Sequence, residues 1–150
     1  LWRELRREAA QRRREATSLP LFGSDLSADA VARARQNLAG AGLDGLVTLE
    51  QADLLARAAP APSGIMVANP PYGERLGEAA ELAAFYPRLG DALKQRFAGW
   101  HCWFLSADAQ LPKLIRLQTS RRIPLFNGAL ECRLYGIEVV EGGRRPRKTA

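Results

Sequence analysis

Apolar positions recur along the chain in two alternating rhythms, and that alternation predicts an α/β fold. Residues 3–16 mix Ala and Leu with many arginines and read as a charged helix, which Thr17-Ser18-Leu19-Pro20 breaks. Leu21-Phe22-Gly23-Ser24-Asp25 reads as a short buried strand ending in an acid. Val31, Ala34, Leu38 and Ala41 then recur at helical spacing; Ser27 is placed to cap this helix, Asp29 and Ala30 open it, and Gly40 and Gly42 end it. Leu46-Val47-Thr48-Leu49-Glu50 predicts a second strand and Gly64-Ile65-Met66-Val67-Ala68 a third, with an Ala/Pro-rich loop over residues 56–63 between them. Leu82, Phe85, Leu89, Leu93 and Phe97 give an apolar stripe to a helix from about Glu78 to Phe97, which Pro87 should kink or interrupt. A fourth strand from Trp100 to Leu105 and a short helix near Ala109–Ile115 follow. Two alternating runs, Arg121 to Leu125 and Glu131 to Val139, flank Phe126-Asn127-Gly128-Ala129. Asn-Gly is a strong hairpin signal because both residues tolerate positive φ. Strand and helix alternate and the chain closes on a hairpin, so the expected architecture is a doubly wound, mainly parallel sheet with an antiparallel edge.

Composition narrows the class. The chain has 150 residues, enough for one core, with 47% hydrophobic and 25% charged residues, as in an ordinary soluble globular domain. No apolar run approaches the roughly 18 residues that cross a membrane. The net charge of +6 and a pI near 10 favour a polyanionic partner. Arg6, Arg7, Arg12, Arg13 and Arg14 either face RNA or make a solvated helix face with Glu4, Glu8 and Glu15. Cys102 and Cys132 both fall in predicted strands, which fits buried thiols in a reducing cytoplasm rather than a disulfide. With one histidine and no CxxC pair, no metal site is expected. His101 reads as a strand-edge residue, and Trp2, Trp100 and Trp103 as core or boundary residues. Residues 1–140 are read as one α/β unit and residues 141–150 as a basic tail or linker. Opening on Leu1 within an apparent helix, the sequence reads as part of a longer chain.

Asn69-Pro70-Pro71-Tyr72, directly after the third strand, carries the sharpest chemistry. An exocyclic amine on a nucleobase is a poor nucleophile because its lone pair is delocalised into the ring. Two acceptors that bind its two hydrogens favour a tetrahedral nitrogen and aim the lone pair. The Asn69 side-chain oxygen and the Pro70 carbonyl supply such a pair, the prolines stiffen the turn and remove competing donors, and Tyr72 offers a stacking ring. Orientation and preorganised electrostatics then do most of the catalytic work, without a strong base. Ligands of open α/β sheets sit outside the carboxyl ends of strands. Asn69 follows one such end and Asp25 closes another, where a carboxylate suits a ribose diol; Asp53, after a third, suits an adenine amino group. The plainer alternatives are a turn at Asn-Pro-Pro and helix capping by Asp25.

Together, Asp25, Gln51-Ala52-Asp53-Leu54, Asn69-Pro70-Pro71-Tyr72-Gly73-Glu74-Arg75-Leu76 and Asn127-Gly128-Ala129-Leu130-Glu131-Cys132-Arg133-Leu134 resemble class I S-adenosylmethionine-dependent methyltransferases. More narrowly they resemble the RlmL-type 23S rRNA guanine-N2 methyltransferases, over roughly residues 1–140. That resemblance implies a Rossmann-like sheet with a terminal hairpin. It implies S-adenosylmethionine as cofactor, held by Asp25 with Leu26, by Asp53 with Leu54, and by Asn69. It implies catalysis by Asn69, Pro70, Pro71 and Tyr72 on large-subunit ribosomal RNA, and an upstream THUMP RNA-binding domain in the parent chain. The Asn-Pro-Pro-Tyr motif is shared with adenine-N6 and protein-glutamine methyltransferases, so both remain alternatives. The family's first strand and glycine-rich cofactor loop do not occur in this sequence. The missing strand belongs between those ending at Asp25 and Asn69, and its absence also leaves open a non-catalytic RNA-binding module.

Overall fold

The computed structural model describes residues 1–12, 19–70 and 78–141. In chain order they form α1 (Trp2–Gln11), β1 (Leu21–Asp25), α2 (Ala28–Gly40), β2 (Val47–Gln51), β3 (Gly64–Ala68), α3 (Glu78–Arg96), β4 (Trp100–Ser106), α4 (Leu111–Leu114), β5 (Thr119–Asn127) and β6 (Leu130–Glu138). The order matches the predicted alternation of strand and helix. Two compact units result, Leu1–Gln51 and Ala52–Ala150. The basic tail expected from residue 141 lies, beyond Glu141, outside the described residues.

In the first unit β1 and β2 pair in parallel, from Leu21 opposite Val47 to Asp25 opposite Gln51. Parallel neighbours need a crossover, and α2 provides it. Ser27 caps α2 as expected, its Oγ accepting the Ala30 N–H at 3.3 Å. The far end closes with Leu43 N–H on the Leu38 carbonyl and Gly42 N–H on the Ala39 carbonyl, Gly42 sitting at φ 66°. This paired closure satisfies carbonyls that the helix itself leaves open. Arg35 then ties α2 to β2 by donating to the Leu49 carbonyl at 2.8 Å.

Two expectations fail here. β1 was expected to be buried, but Leu21 and Phe22 keep 47% and 41% of their surface exposed. Trp2, expected at a core or boundary, is 71% exposed, and α1 buries no residue. Apolar composition makes a strand or helix face suited to burial, but only neighbouring elements remove it from water.

In the second unit the strand order is β3-β4-β6-β5, with β3 parallel to β4 and β6 antiparallel to both β4 and β5. The sheet joins one parallel pair to the expected antiparallel hairpin, so two of its three pairings are antiparallel. Trp100, Cys102, Phe104 and Ser106 alternate along β4 as buried residues, and Tyr135 and Ile137 of β6 join them on the same face. The α3 stripe of Leu82, Leu89, Leu93 and Phe97 belongs to the same core, together with Tyr86, which was not predicted. The T-shaped Phe97–Trp100 pair, with centroids 5.7 Å apart, and the bond from Trp100 Nε1–H to the Ala61 carbonyl at 2.9 Å fix one end. On the opposite face the Trp103 ring lies over Gly136, where a Cβ would come within 2.8 Å of it. That face also carries Ile65 and Val67, each 72% exposed, and Ile123 and Leu125, 39% and 40% exposed.

Pro87 does not interrupt α3, which continues through it. An interior proline costs about 3 kcal/mol, whereas complete burial of each side chain such as Tyr86, Leu89 and Leu93 returns about 1.5–3 kcal/mol. His101 is not at a strand edge, because β4 is flanked on both sides; its side chain is nevertheless exposed. The hairpin is longer and its turn tighter than predicted. Asn127 pairs with Leu130 as the last rung, and the loop is Gly128-Ala129 with only Gly128 at positive φ, 62°. One positive φ at the first loop position fits a type II′ turn better than one centred on Asn-Gly. Both cysteines are free and buried, as expected, and burial pushes the Cys102 thiol up to about 12.

Candidate active site

In the first unit, the carboxyl end of the parallel pair carries Asp25. Its Oδ1 accepts the Ser27 backbone N–H at 2.7 Å, so Asp25 ties the turn while Ser27 does the capping. No described residue occupies its second oxygen, and the side chain is exposed. Leu26, next along the chain, is 70% exposed, and its carbonyl accepts from Gln51 Nε2 at 3.0 Å. Gln51 is also the register partner of Asp25. It was quoted in the sequence only as part of a motif, and the structure gives it a role in pinning the β1–α2 turn. A polar side chain opposite an acid at paired strand ends is the signal that pointed there.

In the second unit, Asp53 repeats the arrangement. Its Oδ1 accepts the Leu55 N–H at 2.8 Å, and its main-chain carbonyl accepts from Ala56 and Arg57. The carboxylate is exposed. Leu54, expected beside the cofactor, packs its side chain against the hydrophobic core. Asn69 follows β3 directly and is exposed; Pro70 is half-buried. The residue carrying the proposed amine contact therefore stands at a strand end rather than in packed core. Pro71 and Tyr72 lie outside the described residues, as do Gly73 and Gly77.

Sequence reading missed the end of β4. Ser106 is 1% exposed, and its Oγ accepts the Asp108 N–H at 3.0 Å, while Asp108 Oδ1 accepts the Gln110 N–H at 2.7 Å. Serine and aspartate two residues apart after a strand are the usual signal for such side-chain turns. In the parallel pair β3–β4 the ends at Asn69 and Ser106 are neighbours. Chemically, the strand ends offer oxygen acceptors: carboxylates for hydroxyl or amino donors, and a carboxamide oxygen for an amine. Among the described residues no His, Cys, Asp or Glu cluster suits a metal ion.

Residues 1–136 match the UPF0020 family model, described as an RMKL-like methyltransferase domain. A ribosomal RNA large subunit methyltransferase K/L from Shewanella baltica is 39% identical over 135 residues, covering 88% of this chain and 19% of the relative. The chain thus spans about a fifth of the length of that curated relative. The crystal structure of SMU.472 complexed with S-adenosylhomocysteine superposes with a TM-score of 0.81 at 26% identity, covering 97% of this chain and 37% of that one. A structure from Listeria monocytogenes, described as a predicted N6-adenine-specific DNA methylase, gives a TM-score of 0.76 at 26% identity over 92% of this chain and 35% of that one.

Proposed function

The chain belongs to the RMKL-like methyltransferase domain family, and on that premise we propose that its protein transfers a methyl group from S-adenosylmethionine to the exocyclic N2 of a guanine in large-subunit ribosomal RNA. The observation that carries this reading is the exposed Asn69 immediately after β3, leading into Pro70. A carboxamide oxygen and a peptide carbonyl adjacent along the chain are the two acceptors that a planar amino group needs. The Shewanella relative's name supports ribosomal RNA as the substrate, and the complex of SMU.472 supports the cofactor.

The residues present fit that cofactor. Asp25 and Asp53 each spend one carboxylate oxygen on a backbone N–H and keep an exposed oxygen for a ligand. Asp25, followed by Leu26, would hold the ribose hydroxyls and Asp53 the adenine amino group, while the Leu54 side chain packs against the core. The bound cofactor supplies an electrophilic methyl on a sulfonium centre. Asn69 Oδ1 and the Pro70 carbonyl accept the two N2 hydrogens; Pro71 and Tyr72, outside the described residues, would complete the motif. The N2 lone pair, aimed in this way, would take up that methyl group, and the surplus proton would pass to water.

The test is nucleoside mass spectrometry after the full-length protein acts on unmodified 23S rRNA with labelled S-adenosylmethionine. N2-methylguanosine is the expected product. Asn69→Ala should lower turnover by about 100-fold or more, the usual loss when one preorganised hydrogen-bonding group is removed. Near-normal turnover in that variant removes the motif from the mechanism. The Listeria description favours a second reading, adenine N6; N6-methyladenosine as the product would select it.

A further inference from the structure

β5 points the same way as β3. β6 runs antiparallel to both β4 and β5, and β3 runs parallel to β4, so the carboxyl ends of β3, β4 and β5 share one rim of the four-stranded sheet. Asn69 follows the first of these ends, Ser106 closes the second, and Phe126-Asn127 closes the third. In the order β3-β4-β6-β5, three strand spacings of about 4.8 Å separate β3 from β5, roughly 14 Å across the sheet, and the register carries Phe126 roughly 10 Å beyond the level of Asn69. A few nucleotides of a single strand span that distance.

Phe126 leaves 74% of its surface exposed at this rim and is absent from the core cluster. Register places it opposite Glu131, Pro124 opposite Arg133, and Arg122 opposite Tyr135. Directly opposed residues project to the same side, so Phe126, Arg133 and Arg122 form one strip running down from the tip. Arg122 commits its Nε to Thr119 Oγ1 at 3.2 Å, and Arg133 one terminal nitrogen to Glu131 at 3.0 Å. Each guanidinium carries five N–H donors, so donors remain on both. The Arg133–Glu131 pair is exposed, and such pairs yield readily to a competing anion. A bare ring beside guanidinium groups suits a nucleobase and its phosphates, and the chain's +6 charge has the matching sign.

We propose that the β5–β6 hairpin tip is a nucleotide-binding platform for single-stranded RNA flanking the target base: Phe126 stacks one base, and Arg122 and Arg133 contact its phosphates. The platform rests on the reading of this protein as an RNA-modifying enzyme, but it is tested by binding alone. Fluorescence anisotropy with a labelled single-stranded rRNA oligonucleotide measures affinity for the full-length protein and its variants. Phe126→Ala should weaken binding at least about fivefold, as expected for the loss of one stacked base, while Phe126→Trp should stay within about twofold of wild type. Arg122→Gln should reduce the slope of log affinity against log salt by about 0.7. Calorimetric affinity for S-adenosylhomocysteine should be unchanged in all three. Wild-type affinity in Phe126→Ala, equal weakening by Phe126→Trp, or no RNA binding by the wild type overturns the platform. A product other than N2-methylguanosine, with binding still dependent on Phe126, would instead defeat the proposed reaction and leave the platform standing.

Discussion

The carboxylate of Asp25 holds the backbone N–H of Ser27 at 2.7 Å, and through it the entry to α2. One side chain thus serves the turn with one oxygen and presents the other at a strand end.

Replacing Asp25 with Asn separates these two tasks. The amide oxygen can still accept from Ser27, so the turn and the melting temperature should hold to within a few degrees. What disappears is the charged outward acceptor, replaced by an amide NH2 that only donates, and a hydrogen bond to a charged acceptor is worth about 1.5–3 kcal/mol. The dissociation constant for S-adenosylhomocysteine, measured by calorimetry on the full-length protein, should rise about tenfold. An unchanged constant would leave Asp25 a turn residue only.

Two helical glycines should respond to alanine in opposite directions. At Gly90 in α3 a Cβ would lie 1.9 Å from the Ile115 carbonyl oxygen, so Gly90→Ala must push main chain apart. Urea unfolding should show a loss of about 1–3 kcal/mol or more, the usual range for overpacking. At Gly40 nothing lies within 4 Å, and Gly40→Ala should gain about 0.4–1 kcal/mol by restricting the unfolded chain. Equal effects at the two positions would contradict the close approach of α3 to Ile115.

The Cys102 thiol should resist modification until the chain unfolds. Its ordinary value of 9.0 is pushed up to about 12 by burial. Above pH 9 the unfolded chain loses this proton while the folded chain keeps it, so the folded state binds more protons and this group's contribution to stability falls as pH rises toward 12. Below pH 9 both states hold the proton and the contribution is flat. A thiol reagent at pH 8 should label Cys102 slowly in native protein and promptly in urea, read by peptide mass spectrometry. Prompt labelling of the native protein would contradict the burial.

Elements governed by local chemistry were the most legible in the sequence. β3 begins and ends where Gly64 to Ala68 predicted, and Ser27 caps α2 because a hydroxyl before a helix has few better uses. The placement of the candidate residues was legible for a related reason: Asp25 closes β1, Asn69 directly follows β3 and Asp53 lies two residues past β2, and all three are exposed. What depended on remote partners was not legible. Leu21, Phe22 and Trp2 are apolar enough to be buried yet remain exposed. Tyr86 escaped the predicted stripe although it is completely buried beside Leu89 and Leu93. The hairpin frame turned on whether Asn127 or Ala129 would share the loop with Gly128, and cross-strand pairing of Asn127 with Leu130 decides it.

Ile65 and Val67, each 72% exposed on one side of the four-stranded sheet, also govern how this polypeptide behaves in a test tube. Contiguous oily surface promotes colloidal attraction, and the +6 net charge opposes it only while salt is dilute, because screening shortens the reach of like-charge repulsion. Purified stocks should therefore remain clear in dilute buffer and turn turbid as ionic strength is raised.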